Sequence, residues 1–217
     1  METPPTGLLR TVAHLLEFRV VPGHEAEVTG YLRQSILKAR APAGMRMRCF
    51  GRRLLHNQPE HIVGTCWQDE AAFAAGTDRR GVPKYLAPEA GVVEVLHSSA
   101  FEISTAIGDG LDGAEIVRVL RSVVAADLTE AWKRDTAGSA DWIRAHDGLV
   151  LFQAGVSLAA PTDGQVSVAT LSAWRDWDAV LVATGGRLGN LIRNTRFDEV
   201  ERLDRLAHYE LLGAETQ

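Results

Sequence analysis

An internal repeat constrains this chain of 217 residues more than any other feature of its sequence. A strand-like segment that runs into a helix start occurs twice, at Trp67 and at Trp174, which are 107 positions apart. The same offset matches Asp69 with Asp176, Ala72 with Ala179, Thr77 with Thr184 and Arg80 with Arg187. Upstream, an offset of 104 matches further pairs, among them Leu16 with Leu120, Gly44 with Gly148 and Gly51 with Gly155. Because the matches are collinear with one short gap, the sequence predicts an internal duplication.

Hydrophobic periodicity gives the first copy the element order β-α-β-β-α-β of a ferredoxin-like plait. The predicted elements are a strand over His14–Val21, a helix over His24–Arg40, strands over Met45–Leu55 and His61–Trp67, a short helix after Asp69, and a strand over Val92–Ile103. One plait covers only one face of its sheet. The fold class predicted is therefore α+β, with two ferredoxin-like modules packed sheet to sheet as a single-chain α/β barrel.

The second copy repeats this order, and the two define a domain organisation. Its predicted elements are a strand over Ile116–Val124, a helix over Leu128–His146, strands over Leu149–Leu158 and Val166–Trp174, a short helix from Asp176, an added helix over Asn190–Arg205, and a last strand over Leu206–Leu212. The predicted modules are residues 9–103 and 114–213. The glycine- and aspartate-rich segment 104–113 is the predicted linker.

Composition excludes several classes of partner. The formal net charge of −5 gives no broad attraction to nucleic acid. No run approaches the roughly 20 apolar residues of a membrane helix, and the N-terminus lacks the pattern of a signal peptide. Cys49 and Cys66 lie in neighbouring predicted strands, where two buried thiols are favoured over a disulfide. These features predict a cytoplasmic protein that binds neither nucleic acid nor a membrane.

The stretch Trp67–Phe73, preceded by Pro22–Glu25 and an amphipathic helix, resembles the antibiotic biosynthesis monooxygenase domain of the dimeric α/β-barrel superfamily. The second half resembles it more weakly, since Trp177 and Val180 replace the usual small and aromatic residues. The two matches cover nearly the whole chain. The resemblance implies a pseudo-dimer within one chain and leaves a further homodimer open.

Two activities of the family can be compared with this sequence. The heme-degrading members use a first-strand asparagine, the tryptophan, and a histidine ten residues after it. Thr77 and Thr184 stand at the histidine position, and no asparagine stands on either first strand, so heme degradation is disfavoured. Other members oxidise polyketide phenols to quinones without a cofactor or a metal. Their asparagine four residues before the tryptophan is replaced here by Val63 and Thr170.

The resemblance implies an oxygen-dependent monooxygenase, without cofactor or metal, whose ligand is a small aromatic or polyketide-like molecule. The alternative is a non-catalytic barrel that binds a small molecule or serves as a scaffold. The candidate catalytic residues are His14, His97 and Arg80, and the candidate substrate-binding residues are Trp67, Trp174, Arg187 and His208. Imidazoles on strands that face a cavity could act as general bases. Indoles could stack on an aromatic ligand, and guanidiniums could bind a phenolate.

Each candidate also has a purely structural interpretation, namely core packing for the tryptophans, ion pairing for the arginines and internal hydrogen bonding for the histidines. The second half contains more large side chains than the first, because three of its tryptophans have no counterpart there: Trp132, Trp142 and Trp177. We therefore expect the larger ligand-accessible cavity to lie beside Trp67.

Overall fold

The computed structural model describes residues 11–37, 40–54, 60–78, 92–188 and 202–216. The first half contains strand β1 over Val12–Val20, helix α1 over Glu25–Leu37, strands β2 over Met45–Arg53 and β3 over Glu60–Trp67, helix α2 over Glu70–Gly76, and strand β4 over Val93–Ile107. This is the predicted β-α-β-β-α-β order. Strand β4 is longer than predicted, so residues 104–107 of the predicted linker are strand.

The second half repeats the order. It contains β5 over Ile116–Ala125, a 3₁₀ turn over Ala126–Leu128, α3 over Thr129–Gly138, α4 over Ala140–Arg144, β6 over Leu149–Ser157, β7 over Gln165–Trp174, α5 over Trp177–Ala183, and β8 over Arg202–Thr216. The single helix predicted over Leu128–His146 is wrong, because the helix is interrupted at Ser139. The Ser139 hydroxyl donates to the Asp135 carbonyl oxygen at 3.0 Å, a local bond that competes with a regular helix.

The predicted helix over Asn190–Arg205 is wrong at its end, since Arg202–Arg205 belong to β8. Residues 190–201 lie outside the described residues. Strand β8 continues beyond its own module, as β4 does, and both pair with the opposite half.

The eight strands form one closed antiparallel barrel in the order β1-β3-β2-β8-β5-β7-β6-β4. Each half supplies four neighbouring strands, and the halves join where β2 pairs with β8 and where β4 pairs with β6. The fold is therefore the predicted α+β barrel of two ferredoxin-like modules within one chain. No helix among the described residues has the length and apolarity needed to cross a membrane.

Irregularities in the strand pairing recur at equivalent positions of the two halves. The register shifts between Glu17 and Phe18 where β1 pairs with β4, and between Arg121 and Ser122 where β5 pairs with β8. These two shifts are 104 positions apart, the offset found in the sequence. The halves are thus related by a pseudo-twofold rotation that exchanges β1 with β5 on opposite sides of the barrel.

Alternation along each strand separates a barrel interior from an outer face. In β1, Leu15 packs in the interior core together with Val117 and Val119 of β5. Its neighbours Leu16 and Phe18 pack outside against helix α1. The interior core also contains Cys49 and Cys66.

Both cysteines are buried free thiols, as predicted. Burial raises the pKa of Cys49 to about 12 and also raises the pKa of Cys66. Neither thiol is therefore ionised at neutral pH.

Candidate active site

The two equivalent corners between strand and helix, one in each half, hold the tryptophans in the same way. Trp67 and Trp174 are both fully buried at the ends of β3 and β7. Their indole Nε1 atoms donate to Thr65 Oγ1 at 2.8 Å and to Ser172 Oγ at 2.9 Å. These contacts make both tryptophans anchors of the core. Stacking of either one on a ligand stays a prediction.

The helices that follow the tryptophans begin and end in the same way. Asp69 accepts from the Ala72 backbone N–H at 2.8 Å, and Asp176 accepts from that of Ala179 at 2.8 Å. Such N-terminal caps satisfy amides that have no partner within the helix. At the other end, Thr77 Oγ1 donates to the Phe73 carbonyl oxygen at 2.8 Å. The histidine position of the heme-degrading enzymes is thus occupied by a helix-capping threonine.

His14 is the most deeply buried imidazole on the outer face of the first half, with 1% of its surface exposed. Its Nε2 lies 2.9 Å from Ser98 Oγ on β4. Its Nδ1 is buried and has no hydrogen-bond partner among the described residues. The imidazole centroid lies 5.4 Å from that of Phe73 on α2. The site therefore combines a buried polar atom without a partner and an aromatic wall.

The electrostatic environment keeps His14 neutral. Burial, and to a smaller extent the charge of Arg121, lowers the pKa of His14 to about 4, although Asp78 raises it in part. A neutral imidazole offers one N–H and one lone pair. At neutral pH the unpartnered Nδ1 can therefore accept a proton from a ligand, or donate one if the tautomer is reversed.

The equivalent position in the second half holds a different group. Arg118 lies 104 residues after His14 and is also buried. Its Nη2 donates to the Leu188 carbonyl oxygen at 3.4 Å. Directly opposite it in β8 is His208, whose buried Nε2 has no partner in the described part of the chain. The Trp177 ring contacts His208 edge to face at 5.3 Å.

The charge of Arg118 and burial act together on His208. Burial is the larger cause, and with Arg118 and Arg53 it lowers the pKa of His208 to about 4. The first half thus presents a neutral imidazole where the second half presents a guanidinium beside a neutral imidazole. The two outer sites of the barrel are chemically different.

Three solved structures resemble this chain over nearly its full length. A Fusobacterium nucleatum protein provisionally named a monooxygenase has a TM-score of 0.73 at 12% identity, covering 96% of this chain and 95% of that chain. One from Lactobacillus acidophilus, also provisionally named a monooxygenase, has a TM-score of 0.68 at 9% identity, covering 96% of this chain and 97% of that chain. An anthrone oxidase-like protein has a TM-score of 0.64 at 10% identity, covering 95% of this chain and 93% of that chain. This chain has the fold of these three proteins.

No family model matches the sequence of this chain. No curated protein matches it significantly either. The likeness to the solved structures therefore establishes the fold, and the chemistry has to be argued from the side chains.

Not all the predicted site residues lie together. His97 is exposed and pairs with Glu17, which faces the barrel interior, so His97 lies on the opposite face of the sheet from His14. Arg187 is exposed in the turn after α5. The roles predicted for His14 and His97 stay separate predictions, because the two side chains lie on opposite faces of the sheet. Arg80 lies outside the described residues.

Only some of the additional tryptophans of the second half fill space in its core as the sequence predicts. Trp132 is buried in the core, and Trp177 partly covers His208. Trp142 is 42% exposed and contacts His146, whose ring centroid lies 6.4 Å from that of Trp174. A larger cavity beside Trp67 stays a prediction.

The sequence argument missed Phe73, Ser98 and Arg118. Arg118 could have been found, because the offset of 104 places it at the position of His14. Ser98 could not, since its contact with His14 depends on the register of β4. No group of three or more histidines, cysteines, aspartates or glutamates suited to a metal ion occurs in the described ranges.

Proposed function

We propose that this chain is an oxygen-dependent monooxygenase that oxidises an electron-rich aromatic or polyketide-like small molecule without a cofactor. The observation that carries the proposal is the environment of His14. Its imidazole is buried and neutral, one ring nitrogen is held by Ser98, and the other has no partner among the described residues. The names of the structural neighbours, two monooxygenases and an anthrone oxidase-like protein, support the same class of reaction.

The reaction that fits this site converts a phenol, or the enol form of an anthrone, to a quinone. His14 Nδ1 takes the hydroxyl proton, and the ring carbon para to the resulting phenolate forms a bond to one atom of dioxygen. The peroxide takes a proton back from the imidazolium. Its O–O bond then breaks, the ring C–H hydrogen is lost, and water leaves. The substrate supplies all four electrons, so one oxygen atom enters the quinone and the other becomes water.

The low pKa of His14 is compatible with its proposed role as the base that accepts the phenol proton. Burial disfavours the imidazolium, and the partial effect of Asp78 leaves it short of counter-charge. A phenolate formed beside Nδ1 supplies that counter-charge, so proton transfer and charge pairing occur in one step. Phe73 offers an aromatic wall for the ligand, 5.4 Å from the imidazole. Ser98 fixes the ring orientation and thereby presents Nδ1 to the ligand.

The test is quinone formation from anthrone in air, followed by absorbance together with oxygen uptake. His14→Gln keeps a polar side chain of similar length but removes the proton acceptor. We expect kcat to fall by about 100-fold or more, the usual contribution of a general base. The matched control is His24→Gln, an exposed histidine paired with Glu27, which should leave kcat unchanged.

Wild-type kcat in His14→Gln would overturn the role of His14. Saturable binding of anthrone with no oxygen uptake in the wild type would favour the alternative, a non-catalytic small-molecule-binding or scaffolding barrel. Cytoplasmic location remains part of the proposal, which leaves a further homodimer open.

A further inference from the structure

A cluster of charged side chains occupies one end of the barrel interior, on the opposite face of the sheet from His14. At its centre are two buried carboxylates, Glu17 and Glu60, whose side chains are 1% and 4% exposed. Glu17 Oε1 lies 2.9 Å from Arg121 Nη2, and Glu17 Oε2 lies 2.8 Å from Arg205 Nη2. Arg205 Nη2 also lies 3.0 Å from Glu60 Oε2, so one guanidinium bridges both carboxylates.

Two more guanidiniums surround Glu60. Arg19 Nη2 lies 3.3 Å from Glu60 Oε1, and Arg53 contacts Glu60 Oε2. Arg19 also pairs with the exposed Glu94 at 3.2 Å. Among the described residues, four guanidiniums therefore face two buried carboxylates and one exposed carboxylate. A local positive excess of one charge stands out in a chain whose net charge is −5.

Some donors of this cluster have no partner among the described residues. The Nε–H groups of Arg19 and Arg205 are buried and donate to no partner there. The Tyr209 hydroxyl lies against Glu17 and Arg205, and burial together with Glu17 raises the pKa of Tyr209, so it stays a neutral donor. Buried donors and excess positive charge both favour a bound anion.

The facing wall of the same barrel end carries short side chains. The position equivalent to Arg19 is Val123, that equivalent to Arg53 is Ser157, and that equivalent to Glu60 is Ser167. Ser167 is exposed although its neighbours Ala169 and Leu171 on the same face of β7 are in the interior core. Solvent therefore reaches this end of the barrel from the serine side. A wall of cationic side chains in the first half thus lies opposite a wall of short, uncharged side chains in the second.

We propose that this end of the barrel binds a small anion, the carboxylate or phosphate group of a metabolite. Arg19, Arg53 and Arg205 are partly exposed, with side-chain exposures of 32%, 16% and 22%, and they can reach an anion that enters from the solvent. Guanidiniums bind carboxylates and phosphates through paired N–H donors. Ser167 lies on the other wall and makes no hydrogen bond to the anion in this arrangement.

The test is a calorimetric titration at low ionic strength with two probes, inorganic phosphate and benzoate. Ser167→Glu places a carboxylate opposite the arginines without removing any ion pair, and we expect it to weaken binding by tenfold or more. Ser167→Ala, the matched control, should bind as the wild type does. Arg53→Gln should also weaken binding, and the exposed Arg187→Gln should not. Saturation by only one probe would identify the group that the site prefers.

Two outcomes would overturn the proposal. One is the absence of saturation by either probe up to about 10 mM, since weaker binding has little specificity. The other is equal affinity in Ser167→Glu and Ser167→Ala. His14→Gln should leave this affinity unchanged, because His14 lies on the other face of the sheet, and a loss there would place the anion elsewhere. The binding test of the anion site can therefore fail without contradicting the proposed oxidation chemistry, and the oxidation test can fail without contradicting the anion site.

Discussion

Glu17 and Arg121 occupy equivalent positions in the two halves and form a buried ion pair with each other, Oε1 to Nη2, at 2.9 Å. The pseudo-twofold rotation places each of them opposite the other across the barrel. In a symmetric homodimer of single modules, the residue at this position would face its own copy. Two buried glutamates or two buried arginines would then repel each other. The pair is therefore a feature that only a fused or heteromeric barrel can have.

Removing one partner of this pair should be strongly destabilising. Glu17→Gln leaves the buried Arg121 without its carboxylate and also removes a contact of Arg205, so we expect the free energy of unfolding to fall by about 3–5 kcal/mol. The measurement is urea unfolding at neutral pH. Arg144→Gln serves as the control, since its pair with Asp141 is exposed and should contribute nothing measurable. Equal effects of the two variants would contradict the account.

Two glycines should be required at the joints between the halves. A Cβ at Gly51 would lie 2.8 Å from the Glu210 carbonyl oxygen, and one at Gly155 would lie 2.7 Å from that of Glu102. Relieving such a contact would require the paired strand to shift, because a backbone oxygen cannot rotate away as a side chain can. Gly51→Ala and Gly155→Ala should therefore both lower the melting temperature. Gly30→Ala, in helix α1 with no atom within 4 Å of the added carbon, should stabilise the protein by about 0.5–1 kcal/mol. A neutral effect at Gly51 or Gly155 would argue against the strand pairing described.

These glycines show how much of the fold could be predicted from the sequence. Gly51 and Gly155 were visible as a matched pair at the offset of 104, and the strand-to-helix corners at Trp67 and Trp174 were visible at 107. Local patterns and repetition sufficed for the modules and for the barrel. The lengths of β4 and β8 were underestimated, because the pairing that extends them is with the opposite half and has no local signal.

The candidate site was harder to predict, since it depends on strand register. His14 and His97 both lie on predicted strands, yet the pairing of His14 with Ala100 and of Glu17 with His97 places them on opposite faces. A difference of one residue in register would reverse that outcome. The charged cluster around Glu60 was missed for the same reason, because its members come from separate strands that only the closed barrel brings together.

The stability of the protein should fall as the pH is lowered from 6.5 towards 4. Burial lowers the pKa of His14 in the folded chain to about 4 from 6.5. Between these values the unfolded chain binds a proton at His14 that the folded chain does not, so acid favours unfolding. The contribution amounts to at most about 1.4 kcal/mol for each pH unit in this window.

This pH dependence can be isolated by comparing urea unfolding of wild type and His14→Gln at several pH values. The variant should lose less stability than the wild type as the pH falls from 6.5 to 4. His24→Gln, which alters an exposed histidine, should keep the wild-type slope. Identical slopes in wild type and His14→Gln would show that His14 is not buried in a neutral form.

The tryptophans provide a test of the difference between the halves. Trp67→Ala and Trp174→Ala each remove a fully buried indole, and each should cost about 3–5 kcal/mol of stability. If the first half carries the ligand site, Trp67→Ala should weaken anthrone binding, measured by fluorescence titration, more than Trp174→Ala does. Equal losses of binding, or a larger loss in Trp174→Ala, would assign the ligand to the second half.

The proposed oxidation inserts one atom of dioxygen into an aromatic substrate. The most direct measurement is mass spectrometry of the quinone formed from anthrone under ¹⁸O₂, together with the amount of oxygen consumed. The account predicts one ¹⁸O atom in each quinone, one dioxygen consumed per quinone, and no accumulation of hydrogen peroxide. A quinone without ¹⁸O, or the absence of any enzyme-dependent oxygen uptake, would contradict it.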